Sequence, residues 1–335
     1  MMYLSPKIPK HHRDIVCSLF LMRRIIQREM DNPVHAEPSS ANILIVTPDS
    51  IQLRTLSETA RTSRTLLRCQ SRGTLNACAA SDGSGLIAVA DSHLVILHDT
   101  APNRSGKKTY QLSSANEVPR LLLFSPDPRV LYFNTSLNTS IQAYQIPTNT
   151  LLSPQLPHPS PPDVLAISPS GEIMISASPN PPVLFIHDLR QGANNVPFNV
   201  YPPHASSAIT QAAFQPYECS QIISSSATIL RYILGFQDGS LSYHQYHLTT
   251  NSLETASLHH PQPKLLDAIP NLHKASTGGV KAVAFLPPIR SGPHELVSSV
   301  RIVTIGLDGR CRLVSLAPST SHPLLSSASG CVLRT

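Results

Sequence analysis

The chain has 335 residues, of which 41% are hydrophobic, only 14% are charged and 31 are proline, with a formal net charge of +6. Short apolar runs punctuated by Pro, Ser and Gly argue against a disordered chain or a bundle of long helices, and for many short strands. Six of the basic residues stand against two acids within residues 1–29, leaving +2 over the other 306, so the basic excess sits in a tail and argues against a nucleic-acid surface.

The tail comes first. Ile15, Leu19, Met22 and Ile26 fall at i, i+4, i+7 and i+11, which predicts an amphipathic helix over about residues 13–29. The apolar run 15–22 is too short to span a bilayer and lacks a small-residue cleavage site. Residues 1–40 are therefore expected to be a basic N-terminal extension, partly helical or disordered. Its functional readings are organelle targeting or docking on a membrane surface, beside that of a plain extension preceding a second start at Met30.

Past residue 40 one pattern recurs: an apolar strand, a turn, a small-residue strand, a tight turn and an alternating strand. It reads LNACAASDGSGLIAVADSHLVILHD from Leu75 to Asp99, then RLLLFSPDPRVLYFNTSLNTSIQAYQ from Arg120, then DVLAISPSGEIMISASPNPPVLFIHD from Asp163. Longer copies run from Ile209 to Gln245 and from Val280 to Ser315, and a truncated one from Ile43 to Thr55. The first strands end at Ala80, Phe124, Ile167, Phe214 and Phe285, at intervals of 44, 43, 47 and 71 residues. Three of the four intervals suit a four-stranded propeller blade, which must stack on its neighbours to bury both faces.

At SPSGEIMISAS…LFIHDL the chain resembles the WD-repeat family. Asp238-Gly239 and Asp308-Gly309 match the family's Asp-Gly turn before its last strand. The resemblance covers about residues 43–316 and implies an all-β fold, a β-propeller of WD-type repeats. The chain has no Trp, and the family's Trp positions hold Arg54, His98, Tyr144, His187, His244 and Val314. His158, His204 and His273 stand where the family has a His before the first strand. Without its Trp, the family's buried Trp/Ser/His/Asp network cannot form in its usual shape.

Six copies predict six blades, or seven if the 71-residue interval hides another, in a propeller domain over residues 41–335. Insertions at 217–228, 249–279 and 287–300 are expected to be surface loops. The first copy lacks its opening strand, and Cys331–Thr335 is expected to pair beside Ile43–Val46 and close the ring.

Catalytic and metal chemistry is sparse. The six cysteines include no Cys-x-x-Cys pair, which favours reduced thiols in a cytoplasmic or nuclear protein over a zinc knuckle or disulfide framework. No phosphate loop, nucleophile elbow or His-Glu-x-x-His occurs. His98, His187 and His244 could converge on a metal only if adjacent blades brought them together, and half-buried rings at blade edges are the expectation. No enzyme activity, cofactor or metal is expected.

His187-Asp188-Leu189-Arg190 is similar to the Trp-Asp-x-Arg signature of propellers that dock substrates to cullin-type ubiquitin ligases. Asp188 and Arg190 are thus candidate protein-binding residues, beside the reading of a solvated arginine after a strand. The expected function is a scaffold for protein–protein interactions, a monomer within a larger complex. Alternatives are a ligase adaptor, a propeller hydrolase or lactonase, and a trafficking propeller that meets membranes through its N-terminal helix.

Overall fold

The computed structural model describes residues 20–22, 41–46, 50–56, 61–68, 75–81, 85–99, 108–111, 116–152, 156–190, 198–202, 205, 207–216, 222–224, 227–249, 262–286 and 300–316. They are overwhelmingly strand, arranged in antiparallel sheets, with a short 3-10 turn at Ala275–Thr277. No helix among them is long and apolar enough to cross a membrane.

The chain forms two compact units, Met1–Pro119 and Arg120–Thr335. In the first unit, β1 (Phe20–Met22), β2 (Ala41–Val46), β3 (Ser50–Leu56) and β4 (Arg61–Arg68) make one sheet. A second holds β5 (Leu75–Ala80), β6 (Leu86–Asp91), β7 (Leu94–Asp99) and β8 (Lys108–Gln111). Ala88, Val89 and Ala90 at its centre are fully buried, as short side chains on a strand covered on both faces should be.

The second unit holds four sheets. The third of the chain comprises β9 (Pro119–Phe124), β10 (Val130–Thr135), β11 (Gln142–Gln145) and β12 (Thr150–Leu151). The fourth comprises β13 (Val164–Ile167), β14 (Ile173–Pro179), β15 (Pro182–Asp188) and β16 (Phe198–Asn199). The fifth is built on β17 (Ile209–Phe214), β19 (Ala227–Phe236), β20 (Leu241–Thr249) and β21 (Lys264–Ile269), with β18 (Ile222–Ser224) paired to the start of β19. The sixth has β22 (Val280–Phe285), β23 (Val300–Gly306) and β24 (Cys311–Leu316). β5, β9, β13, β17 and β22 end on the five residues that set the sequence period.

These four sheets pack face to face in chain order. The face of the fourth carrying Met174 meets Tyr132, Ile141 and Ala143 of the third. Its opposite face, with Ile175, Leu184 and Ile186, meets Leu230, Tyr232 and Leu234 of the fifth. Ile233, Leu241 and Tyr243 on the far side of the fifth then meet Ile302, Val314 and Leu316 of the sixth. Alternation along each strand produces this two-sided burial.

Several expectations are corrected. Phe20–Met22, inside the segment expected to be helical, is a strand in register with Asn42–Leu44, and the rest of residues 13–29 lies outside the described residues. That strand takes the place beside Ile43 that was assigned to Cys331–Thr335, which itself lies outside the described residues. The insertion 249–279 supplies the outer strand β21 and the 3-10 turn, because Leu266 and Ile269 reach the core between the fifth and sixth sheets. The insertion 217–228 contains β18 and the start of β19. Of 287–300, only Val300 is described, as the first residue of β23.

Candidate functional site

Asp188 closes β15 opposite Ile173, and the chain turns there as the Leu189 amide donates to the Glu172 carbonyl at 2.7 Å. The Arg190 amide then donates to Asp188 Oδ1 at 3.1 Å, which folds the guanidinium back over the carboxylate. Arg190 Nε lies 2.9 and 3.2 Å from the two carboxylate oxygens and Nη2 lies 2.5 Å from Oδ2, a bidentate pair. The side chains are 23% and 21% exposed, so the arginine past the strand is a half-buried member of a pair, not a solvated cation.

Glu172 and Tyr246 surround this pair. The hydrogen bond that the guanidinium donates to Asp188 is the main reason it holds its proton more tightly than usual, with Glu172 and Tyr246 adding to the effect. Burial, followed by the Asp188 charge, pushes the Tyr246 phenol up to about 12. Sequence reasoning named Asp188 and Arg190 but missed Glu172 and Tyr246. Glu172 precedes the strand paired with β15, and Tyr246 comes from the next sheet, so no local spacing announces either.

The family's Trp positions in the fourth, fifth and sixth sheets lie on the faces turned toward the preceding sheet. His187 is 2% exposed, and a 2.7 Å hydrogen bond joins its Nε2 to Ser176 Oγ. His244, also buried, stacks on Tyr232 at 5.2 Å and joins Ser242 through Nε2 at 2.7 Å. Both rings are fully buried, where half-buried ones were expected, whereas His98 in β7 is half-buried as expected. Among the described residues no three His, Cys, Asp or Glu side chains gather as a metal site requires.

Val314 is apolar, and the polar network of the sixth sheet assembles without it. His273 Nδ1 donates to Asp308 Oδ1 at 3.1 Å, and Nε2 accepts from Thr304 Oγ1 at 2.9 Å. The amides of Arg310 and Lys274 complete the carboxylate shell at 3.1 and 3.3 Å. Burial works to raise the Asp308 carboxyl, but the Arg310 amide, His273 and the Lys274 amide together hold it below its ordinary value. Gly306 makes room for the ring, since a Cβ there would lie 2.2 Å from His273 Nδ1. His273, ahead of the first strand of this sheet, is thus joined to the Asp-Gly turn through Asp308 and to β23 through Thr304. His204 lies outside the described residues.

A shallow cavity of about 320 Å³ opens beside the Asp238-Gly239 turn, lined by Phe236, Leu241, Ile269 and Pro270 with Asp238 and Ser240. The Asp238 carboxylate receives the Ser240 amide and hydroxyl at 2.8 and 2.5 Å and is committed to the turn. No family model and no curated protein matches this sequence.

Proposed function

We propose that the chain is a degenerate WD-type β-propeller whose six sheets are its blades, and that it serves as a non-catalytic scaffold for protein assembly in the cytoplasm or nucleus. The observation that supports this reading is the buried His273–Asp308–Thr304 network, which joins a residue ahead of the sixth sheet's first strand to the Asp-Gly turn and to β23. Rigid stacked sheets hold connecting loops in fixed places, which suits presentation of a binding surface more than closure over a substrate.

The Asp188–Arg190 pair is the proposed contact. Its partner is a protein bearing an acidic side chain, which shares the guanidinium with Asp188. The half-buried setting makes such a contact stronger than one with a fully solvated arginine.

Affinity purification of full-length protein, wild type and Arg190→Glu, tests this. The wild type is expected to retain a reproducible protein set that Arg190→Glu loses at least tenfold while the variant remains folded at the assay temperature. An unchanged set removes the docking role of the pair. No retained protein removes the scaffold reading, and stoichiometric metal in the pure chain favours a propeller hydrolase instead.

A further inference from the structure

We propose that the seam between the third and fourth sheets is an acid-sensitive hinge that opens when His158 and His187 take up protons. The segment between these sheets is stitched to both. Leu156 pairs with Ile141 of the third sheet, and the Pro162 carbonyl accepts from Asn134 Nδ2 at 2.9 Å. Asp163 meets Arg120 in an ion pair. Between those ties, His158 stacks edge-on against Phe185 of the fourth sheet, with ring centres 5.1 Å apart. Two residues along the same strand face, His187 lies 6.4 Å from Phe185. Both imidazoles are buried in the seam.

The wiring of these rings suits only the neutral form. His158 Nδ1 donates to the Ser160 carbonyl at 2.5 Å, which leaves Nε2 as a bare lone pair. That Nε2 and His187 Nδ1 are both buried without a hydrogen-bond partner. A proton on either creates a charged N–H with nothing to receive it, in a place water does not reach. A proton on one also repels a proton on the other.

The surrounding charges offer no relief. On the third sheet they are Arg120, Asp127 and Arg129, with the phenols Tyr132 and Tyr144. On the fourth they are Asp163, Glu172, Asp188 and Arg190, and on the fifth sheet, across the fourth, Arg231, His244, Tyr232 and Tyr246. Asp163 is engaged by Arg120, Asp127 by Arg129 and Asp188 by Arg190. Burial alone depresses His158, and burial followed by the charge of His158 depresses His187 to about 3.

A histidine that stays neutral when the seam is closed, and regains its ordinary affinity when it opens, favours opening about tenfold between pH 7.5 and 5.5. The pair together gives about a hundredfold. The separation is local, because in the sixth sheet His273 has partners at both ring nitrogens.

Hydrogen–deuterium exchange of the full chain at the two pH values, corrected for intrinsic exchange, tests the hinge. The amides of Ile141, Leu156, Asp163 and Ser176 should open ten- to a hundredfold more at pH 5.5, while those of Ile302–Gly306 should not. His158→Asn keeps a donor for Ser160, His187→Gln keeps a partner for Ser176, and each should remove about tenfold of the response. Imidazole proton shifts of the unaltered protein give a readout that needs no variant, and both rings should remain neutral at pH 5.5 in the closed state. An equal rise across the fifth and sixth sheets, an unchanged seam, a double variant that keeps the whole response, or rings that titrate near 6.5 would each overturn the proposal.

Discussion

In the sixth sheet a histidine seven residues before the opening strand reaches a carboxylate; in the fourth, a histidine six residues before it reaches only a backbone carbonyl. Asp308 supplies the acid in one hairpin turn, and Asn180 takes the corresponding place in the other. The consequences extend through each network. With an acid present, His273 donates at Nδ1, accepts at Nε2, and leaves no polar atom of the ring unpaired. Without it, the serines divide the work: Ser160 joins Ser178 at 2.6 Å, Ser176 joins His187, and one nitrogen on each histidine goes unpartnered. One network locks its sheet, and the other leaves a place where a proton can act.

The largest effect should come from crowding the satisfied network. Gly306→Ala would place a Cβ 2.2 Å from His273 Nδ1 and 2.5 Å from Asp308 Oδ1, too close for either to remain. Overpacking together with a broken buried network costs about 3 kcal/mol or more, read from the urea midpoint at constant m-value. A loss below about 1 kcal/mol would mean that His273 swings aside freely, and the contrast with the fourth sheet would disappear.

Much of this frame was legible in the sequence, for reasons visible at particular residues. Ala80, Phe124, Ile167, Phe214 and Phe285 mark first strands because each closes a short apolar run that turn residues follow. Gly239 and Gly309 have φ of +83° and +73°, so the Asp-Gly pairs reported their tight turns faithfully. The fourth strands were not legible. β12 is two exposed residues, Thr150 and Leu151, and β21 is largely exposed, so neither shows the alternation that burial imposes. Strand Phe20–Met22 was missed because a 3.6-residue period in a basic tail reads as helix, whereas pairing with β2 is a tertiary choice. Asp188 and Arg190 were named as candidates without their mutual pairing, since sequence shows an arginine's position and not what it folds back upon.

Acid should separate the two networks by their windows. His187 is neutral in folded and unfolded chains at pH 7, with its folded value depressed by burial to about 3. Below the ordinary histidine value the unfolded chain gains a proton that the folded chain refuses, so stability falls with pH by about 2 kcal/mol at pH 5. Asp308 behaves otherwise. Its lowered value contributes stability that is intact above the ordinary aspartate range and is lost only as pH falls through the folded value. Urea titrations from pH 7 to pH 3 should therefore show a first decline between about 6.5 and 4 that His187→Gln reduces and His187→Gln with His158→Asn removes, and a second below about 4 that Asp308→Asn removes. A first decline that survives both histidine substitutions would assign it to other groups.

The smallest effect tests whether the fourth-sheet network is worth keeping for stability at all. Ser176→Ala leaves His187 with neither nitrogen hydrogen-bonded, and should cost about 1–2 kcal/mol. Adding His187→Leu removes the stranded imidazole and restores an apolar contact beside Phe185, so the double variant should be more stable than the serine variant alone. The matching pair in the sixth sheet should behave in the opposite way. Thr304→Val with His273→Leu strands the Asp308 carboxylate, whose side chain is 2% exposed, beside an apolar neighbour. That double variant should lose more than Thr304→Val alone. Both cycles can be read from urea midpoints at pH 7.5. If the two cycles carry the same sign, the carboxylate does not distinguish the sheets, and the serine-and-histidine arrangement is simply a weaker copy of the same lock.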